Sequence, residues 1–506
     1  MTPAPCNAKE EVKYSVQLRE MQMSDWVYSS ATEMARAVRE RRVGCEELLE
    51  LHLQRVGRHN KALNAIVVLD AERARLRARE ADAATARGES WGPLHGVPMT
   101  VKEAYDVEGL PTTWGVPALR DNVAGANAAS VDALLAAGAI IFGKTNVPLL
   151  LGDWQTFNAI HGTTNNPWDS GRTPGGSSGG SAAALAAGMS ALEMGSDIGS
   201  SIRNPAHYCG VYGHKPSFGI VPQHGHWIPG AHVPIDVLVC GPLARSAEDL
   251  ALALDLLAGP EPYDRPAWKI ELPRPRKKML GEYRIALMLE DPNCAVDREV
   301  CDRIQSIADA AARSGARVDD QARPRIDMRR AHALYLQLLR GATGALVGDD
   351  AHAQARANAA KLAPDDQSYG ARVLRGAVQE HRAWFAAHEA RQALRAQWGS
   401  FFESYDVLLC PIGASAAFPH DQQRERVDRR IMVNGREEDY NAQLFWAGIA
   451  SLPNLPSTAA PAGRTPAGLP VGVQIVGPYL QDHATIEFAR LLAQVTEGFV
   501  PPPGFR

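Results

Sequence analysis

The sequence predicts an α/β fold, and three observations carry that prediction. Short apolar runs rich in strand formers alternate with amphipathic helical stretches along most of the chain. The 506 residues, 45% hydrophobic and 22% charged, are those of a globular protein long enough to bury a large core. A Gly/Ser-dense turn at 175–181 runs straight into the small-residue stretch 182–188, which suits a tightly packed buried helix rather than a flexible spacer.

The elements follow in order. Ser30-Ala31-Thr32-Glu33 reads as a capping box that opens a helix to about Arg42. A second helix starts at Glu46, with Leu48, Leu49, Leu51, Leu53 and Val56 on one apolar face, and 70–88 forms a third, more exposed one. Residues 96–102 read as a short buried strand ending in Lys102, and 139–143 as another after a helix begun near Ser130. The alternation continues with a strand at 237–240, a helix at 246–257, a strand at 285–288 and a helix at 296–314. From 325 to 404 the chain turns rich in Ala, Arg, Gln and Leu, a mostly helical region suited to border a pocket. A strand at 406–411, a helix at 440–450, a strand at 469–476 and a last helix at 483–495 complete the order. Such short apolar runs leave the strand order open, and no fixed-period repeat is present.

Composition excludes several function classes. With 57 acidic against 53 basic residues the net charge is -4, so no global field favours nucleic acid or an anionic membrane, and neither is expected as a partner. The basic run 273–278 reads as a solvated linker. Seven cysteines (Cys6, Cys45, Cys209, Cys240, Cys294, Cys301 and Cys410) are scattered without a C-x-x-C pair, which points to a reducing compartment and away from a cysteine zinc site. The first 25 residues carry Lys9, Glu10, Glu11, Lys13, Arg19 and Glu20 without an apolar core, so no signal peptide is expected. No stretch reaches the roughly 18 apolar residues of a membrane span. A cytoplasmic protein is the expectation.

The chemistry concentrates in Gly175-Gly176-Ser177-Ser178-Gly179-Gly180-Ser181 and, beyond the small-residue helix, Gly195-Ser196-Asp197-Ile198-Gly199-Ser200-Ser201-Ile202-Arg203. Dense glycine lets backbone amides approach a ligand, and the hydroxyls supply nucleophiles or proton relays. A phosphate loop is disfavoured because no Lys-Ser or Lys-Thr follows the glycines and G-x-G-x-x-G spacing is absent. His224 and His226 offer a metal pair, yet no third ligand stands at a recognisable spacing, so no metal and no cofactor are expected. Serine nucleophile catalysis remains.

From Gly175 to Pro205 the chain resembles the amidase signature family, whose diagnostic run joins G-G-S-S-G-G to G-x-D-x-G-x-S-I-R-x-P. Agreement extends to 101–113, 143–148, 165–168, 209–217 and 468–477, covers roughly 26–500, and is weakest over about 270–400. The resemblance implies a single domain over 1–506 with a central mixed β-sheet flanked by helices. Its parts would be N-terminal helices over 1–95, a catalytic core over 96–265, a variable, mostly helical region over about 270–400, and a C-terminal part of the core over 405–500.

It further implies a Ser-cisSer-Lys triad, with Ser201 as nucleophile, Ser177 as bridging serine after a cis peptide bond, and Lys102 as base. Lysine is a base only when neutral, so Lys102 must be desolvated, with Glu103 and Asp106 turned elsewhere. The amides of Ile198, Gly199, Ser200 and Ser201 would form the oxyanion hole. Ser178, Asp197 and Arg203 would hold the loop. Ser200 departs from the pattern, which usually has glycine there. Leu150, Leu151, Asp153, Trp154 and Phe157, with Trp227 and Trp114 near, would line the acyl side of a pocket suited to a hydrophobic or aryl group.

The expected function is hydrolysis of a small-molecule amide through an acyl-enzyme. Alternatives are a carbamate or ester hydrolase of the same fold, a glutamine-hydrolysing amidotransferase subunit, and a catalytically silent amidase-like scaffold. Many relatives are homodimers, so the resemblance allows a homodimer here.

Overall fold

In the computed structural model residues 25–505 are described. Residues 1–24, on which the expectation about the start of the chain bears and which include Cys6, lie outside them.

One mixed sheet of 11 strands organises the chain. Its strands in chain order are β1 (Ile66–Leu69), β2 (Pro98–Lys102), β3 (Ile140–Thr145), β6 (Glu193–Asp197), β7 (Tyr212–Lys215), β8 (Val239–Ala244), β9 (Arg284–Leu287), β10 (Arg317–Asp319), β11 (Val407–Pro411), β14 (Ser457–Arg464) and β15 (Pro470–Val476). Two hairpins stand apart, β4 (Phe157–Asn158) with β5 (Gly162–Thr163) and β12 (Arg430–Val433) with β13 (Arg436–Asp439). The strand order is β1-β3-β2-β6-β8-β7-β14-β15-β11-β9-β10. It is parallel through β3-β2-β6 and β11-β9-β10 and antiparallel between.

The helices are α1 (Ala31–Arg39), α2 (Cys45–Leu63), α3 (Ala71–Ala86), α4 (Ala129–Ala136), α5 (Gly179–Ala186), α6 (Arg203–Cys209), α7 (Ala247–Leu257), α8 (Arg298–Arg313), α9 (Met328–Gly344), α10 (Asp349–Ala359), α11 (Tyr369–Ala377), α12 (His381–Ser404), α13 (Leu444–Ser451) and α14 (Asp482–Leu492). At α1 half of the predicted capping box forms. Ser30 Oγ accepts from the Glu33 amide at 3.0 Å, while the Glu33 carboxylate pairs with Arg42 at 2.9 Å and with Arg36.

Two predicted elements move. The strand expected at 237–240 starts two residues later because Val237 adopts φ 57, a turn conformation closed to a strand. The helix expected from Tyr440 opens with a 3-10 turn over Tyr440–Gln443 before α13. The region 325–404 is helical as expected, as α9 to α12.

Two placements prepare the site. Parallel pairing of β2 with β6 sets the C-terminal end of β2, where Lys102 sits, beside Ser196. Helix α5 is buried along its whole length, and every side chain in it is Gly, Ser, Ala or Leu. The small residues let its backbone lie close to the sheet and to the loops around it.

Candidate active site

Lys102, Ser177 and Ser196 form one hydrogen-bonded cluster. Lys102 Nζ donates to Ser177 Oγ at 2.6 Å and to Ser196 Oγ at 2.9 Å, and the lysine is fully buried. Burial pushes its ammonium down to about 7, against a partial opposing pull from Asp197. Glu103 is turned away, accepting the amides of Thr113 at 2.6 Å and Trp114 at 3.0 Å. Asp106 lies near Lys144 and His224 rather than Lys102. Burial thus supplies the desolvation that a lysine base requires, and among the described residues the side-chain hydrogen-bond partners of Nζ are hydroxyls rather than carboxylates.

Ser177 follows a cis peptide bond after Gly176. Two glycines before it are dictated by neighbouring protein and not by a ligand. Gly175 has φ 87, and a Cβ there would meet Pro205 Cα at 2.7 Å; a Cβ on Gly176 would meet the Asp153 carbonyl oxygen at 2.4 Å. The reading of these glycines as an approach path for ligand thus changes to one of close packing. Of the glycines in the two motif segments, Gly199 is the one that lines the cavity.

The loop after β6 is held by a buried ion pair. Asp197 and Arg203 are both fully buried and 2.8 Å apart. Asp197 also accepts the amides of Ser200 at 2.9 Å and Ile202 at 3.1 Å. Burial alone would raise the Asp197 carboxyl, but the charge and hydrogen bonds of Arg203 outweigh it and hold it below the usual range. Arg203 completes its shell with the Ala447 carbonyl at 3.2 Å, Ser451 Oγ at 2.9 Å and Gln474. Ser178 joins the loop to its own turn, its amide donating to the Ser201 carbonyl at 3.2 Å.

This network corrects the expected oxyanion donors. The Ser200 amide is committed to Asp197, whereas those of Ile198, Gly199 and Ser201 carry no hydrogen bond among the described residues. The carbonyls of Ile198 and Gly199 are fixed by Tyr335 Oη and Trp154 Nε1, each at 2.7 Å. A peptide's N–H points opposite to its C=O, so the grip of Tyr335 on the Ile198 carbonyl aims the Gly199 amide the other way. Ser200 has φ 75, which explains why the family pattern favours glycine there.

Ser201 and Ser177 open onto one cavity of about 370 Å³. Leu150, Leu151, Asp153 and Trp154 line it as expected, with Trp114. Phe157 and Trp227 do not. Phe157 sits on the β4–β5 hairpin under the Arg429 guanidinium, 5.8 Å from its ring, and Trp227 is taken up by edge contacts with His224 and His232. His226 is likewise a packed residue, with its ring 4.5 Å from Tyr105 and 5.2 Å from Trp114. The helical region 325–404 borders the cavity as expected, but sequence reading did not name the residues of this far wall, which comes from α9, α10, α11 and the turn between α9 and α10 and includes Leu339, Arg340, Val347 and Leu374, with Arg426 and Leu444 added from further along. Sequence reading also missed Ser196 and Tyr335. The hydroxyl of Ser196, inside the same motif, was the available signal for the first.

A family model described as Amidase matches residues 47–486. The chain is 33% identical over 467 residues to an indoleacetamide hydrolase of Bradyrhizobium diazoefficiens, covering 90% of this chain and 84% of that protein. It is 33% identical over 479 residues to an acylamidase of Rhodococcus erythropolis (91% and 94% covered), and 32% identical over 497 residues to a glutamyl-tRNA(Gln) amidotransferase subunit of Acidothermus cellulolyticus (91% and 93%). Among solved structures, a bacterial aryl acylamidase of the amidase signature enzymes is similar with a TM-score of 0.77 at 25% identity, covering 93% of this chain and 96% of that one.

Proposed function

The chain belongs to the amidase signature family of amide hydrolases, and from that premise we propose that it cleaves the C–N bond of small hydrophobic or aryl amides through an acyl-enzyme on Ser201. The observation that carries the proposal is a fully buried lysine, pushed down to about 7 by that burial, bonded at 2.6 Å to Ser177, which lines the same cavity as Ser201. Neutral Lys102 takes the Ser177 proton as Ser177 takes that of Ser201, whose oxygen adds to the amide carbonyl. The developing oxyanion is received by the free amides of the 198–201 loop, with Gly199 aimed by Tyr335. Collapse of the tetrahedral intermediate breaks the C–N bond, and the proton returns through Ser177 to the leaving amine. Water then attacks the ester along the same relay and restores Ser201.

Hydrophobic amides are favoured over glutamine because the walls are mostly apolar and Asp153, the one carboxylate among the described lining residues, is already engaged by Arg429 and Tyr440. Among the described residues no helix is long and apolar enough to cross a membrane. The six described cysteines are free, which supports the cytoplasmic setting, and the homodimer carried by the family resemblance is testable by light scattering.

The test is labelling by a fluorophosphonate, followed by amide turnover. Ser201→Ala should abolish labelling while Ser200→Ala retains it, and the purified protein alone should release amine from hydrophobic amides. Labelling that survives Ser201→Ala and disappears in Ser200→Ala would sink the assignment; turnover that depends on an additional protein would favour the amidotransferase.

A further inference from the structure

The charge balance of the cavity is uneven. Its walls are apolar, with Leu339, Leu346, Val347, Val373, Leu374 and Leu444 among them, yet two guanidinium groups, Arg340 and Arg426, line it. Asp153 does not neutralise both. It is ion-paired with Arg429 and accepts from Tyr440 Oη at 2.6 Å and from the Trp154 amide at 2.7 Å.

Arg426 is well satisfied. Its Nε donates to Asn441 Oδ1 at 3.0 Å, it also bonds the Gly152 carbonyl, and its guanidinium lies 5.2 Å over Trp154 and 5.9 Å over Tyr440. Arg340 is not. Its guanidinium bonds the Tyr369 hydroxyl and stacks 5.3 Å from that ring, while its buried Nε has no partner among the described residues. Burial pushes it below its ordinary value, Tyr369 and Arg426 act on it most strongly after that, and among the described residues it forms no ion pair with a carboxylate. Arg340 is half-buried, and a cation held there with an unpartnered buried Nε and no carboxylate paired to it among the described residues gains when a ligand brings the anion.

We propose that the cavity takes amides bearing a carboxylate at the far end of an apolar segment, with Arg340 as the group that receives it. The inference rests on the amide-hydrolase reading and names its substrate class. Helix α9 sets the span. Tyr335 touches the oxyanion loop at Ile198, and Arg340 follows five residues later, about 7.5 Å along the axis at 1.5 Å per residue. An apolar segment of several carbons is the kind of spacer that could join an amide at the oxyanion loop to a carboxylate at Arg340. Glutamine is a poor fit, because its ammonium would find Asp153 already taken.

The experiment compares kcat/KM for two matched pairs: suberamic acid against octanamide, with the carboxylate on the acyl side, and N-acetyl-6-aminohexanoate against N-hexylacetamide, with it on the leaving side. Wild type should prefer the anionic member of one pair by about 10- to 100-fold, the range of a charge-assisted hydrogen bond. Arg340→Met should bring that ratio close to one, and Arg340→Lys should keep part of it. A wild-type ratio at or below one in both pairs, or a ratio that Arg340→Met leaves unmoved, overturns the inference.

Should Arg340→Met fail to fold, protection of wild-type Ser201 from fluorophosphonate decides. Suberate should protect at about tenfold lower concentration than octanoate, and equal protection overturns the inference. Turnover of neutral amides without anionic preference defeats this inference alone. Absence of both labelling and turnover defeats the hydrolase reading with it.

Discussion

Lowering the pH titrates Lys102, and the structure sets both the sign and the midpoint of the effect. The buried Nζ has two hydroxyl partners, Ser177 Oγ at 2.6 Å and Ser196 Oγ at 2.9 Å, and burial brings it to about 7. The base is the free amine, so the acylation rate follows the deprotonated fraction. That fraction is about one half at pH 7 and about one per cent at pH 5, giving a roughly 50-fold fall between them and only a roughly twofold rise from pH 7 to pH 9. An ordinary lysine near 10.5 would instead give a rate that climbs about tenfold per unit up to pH 10. The assay is the second-order rate of fluorophosphonate labelling of Ser201 from pH 5 to 10, with Ser196→Ala run in parallel. Ser196 accepts a hydrogen bond from the ammonium, so its loss should move the midpoint below that of wild type. A midpoint above 9, or a flat profile from pH 5 to 9, would refute a buried neutral lysine as base. An upward shift in Ser196→Ala would mean that water reaches Nζ, and burial would lose its place as the cause.

Other perturbations read other parts of the site. Tyr335→Phe keeps the ring but releases the Ile198 carbonyl, and should lower kcat about tenfold with little change in KM, as measured by steady-state amide hydrolysis. Asp197→Ala leaves Arg203 as an unpaired buried cation, and should cost about 3–5 kcal/mol in chemical denaturation while also freeing the Ser200 amide. Ser200→Gly relieves a side chain at φ 75; it should retain labelling and gain about 1 kcal/mol in the same denaturation assay.

The α/β alternation was legible where strands are apolar, as at β2, β3, β9, β11 and β15. It failed where buried strands are polar or small. β6 reads Glu193-Met194-Gly195-Ser196-Asp197, and every residue in it is buried. Its Glu193 is pushed up to about 8 by burial and bonds Thr100, while Ser196 and Asp197 serve the site. An apolar-pattern search passes over such a strand because its side chains are chosen for the polar network they complete. β7 (Tyr-Gly-His-Lys) and β14 (Ser-Thr-Ala-Ala-Pro-Ala-Gly-Arg) escape for the same reason. Strand order escapes altogether, since β14 and β15 enter the middle of the sheet after an excursion of more than two hundred residues.

The site divides along the same line. Ser177, Ser178, Asp197, Ser201 and Arg203 sit within thirty residues of one another, so a motif can hold them, and Lys102 joins through a neighbouring strand. The far wall has no such locality. Leu339, Arg340, Ala351 and Leu374 reach the cavity because α9, α10 and α11 pack over it, and only the folded arrangement tells which face of each helix looks inward. Tyr335 joins the two parts. It sits on a wall helix, yet its hydroxyl grips the loop beside Ser201. A substrate that presses on α9 through Arg340 therefore presses on the element that aims the Gly199 amide. Substrate selection and oxyanion geometry share one helix, so a double substitution of Tyr335→Phe with Arg340→Met should be non-additive in kcat/KM for anionic amides and additive for neutral ones.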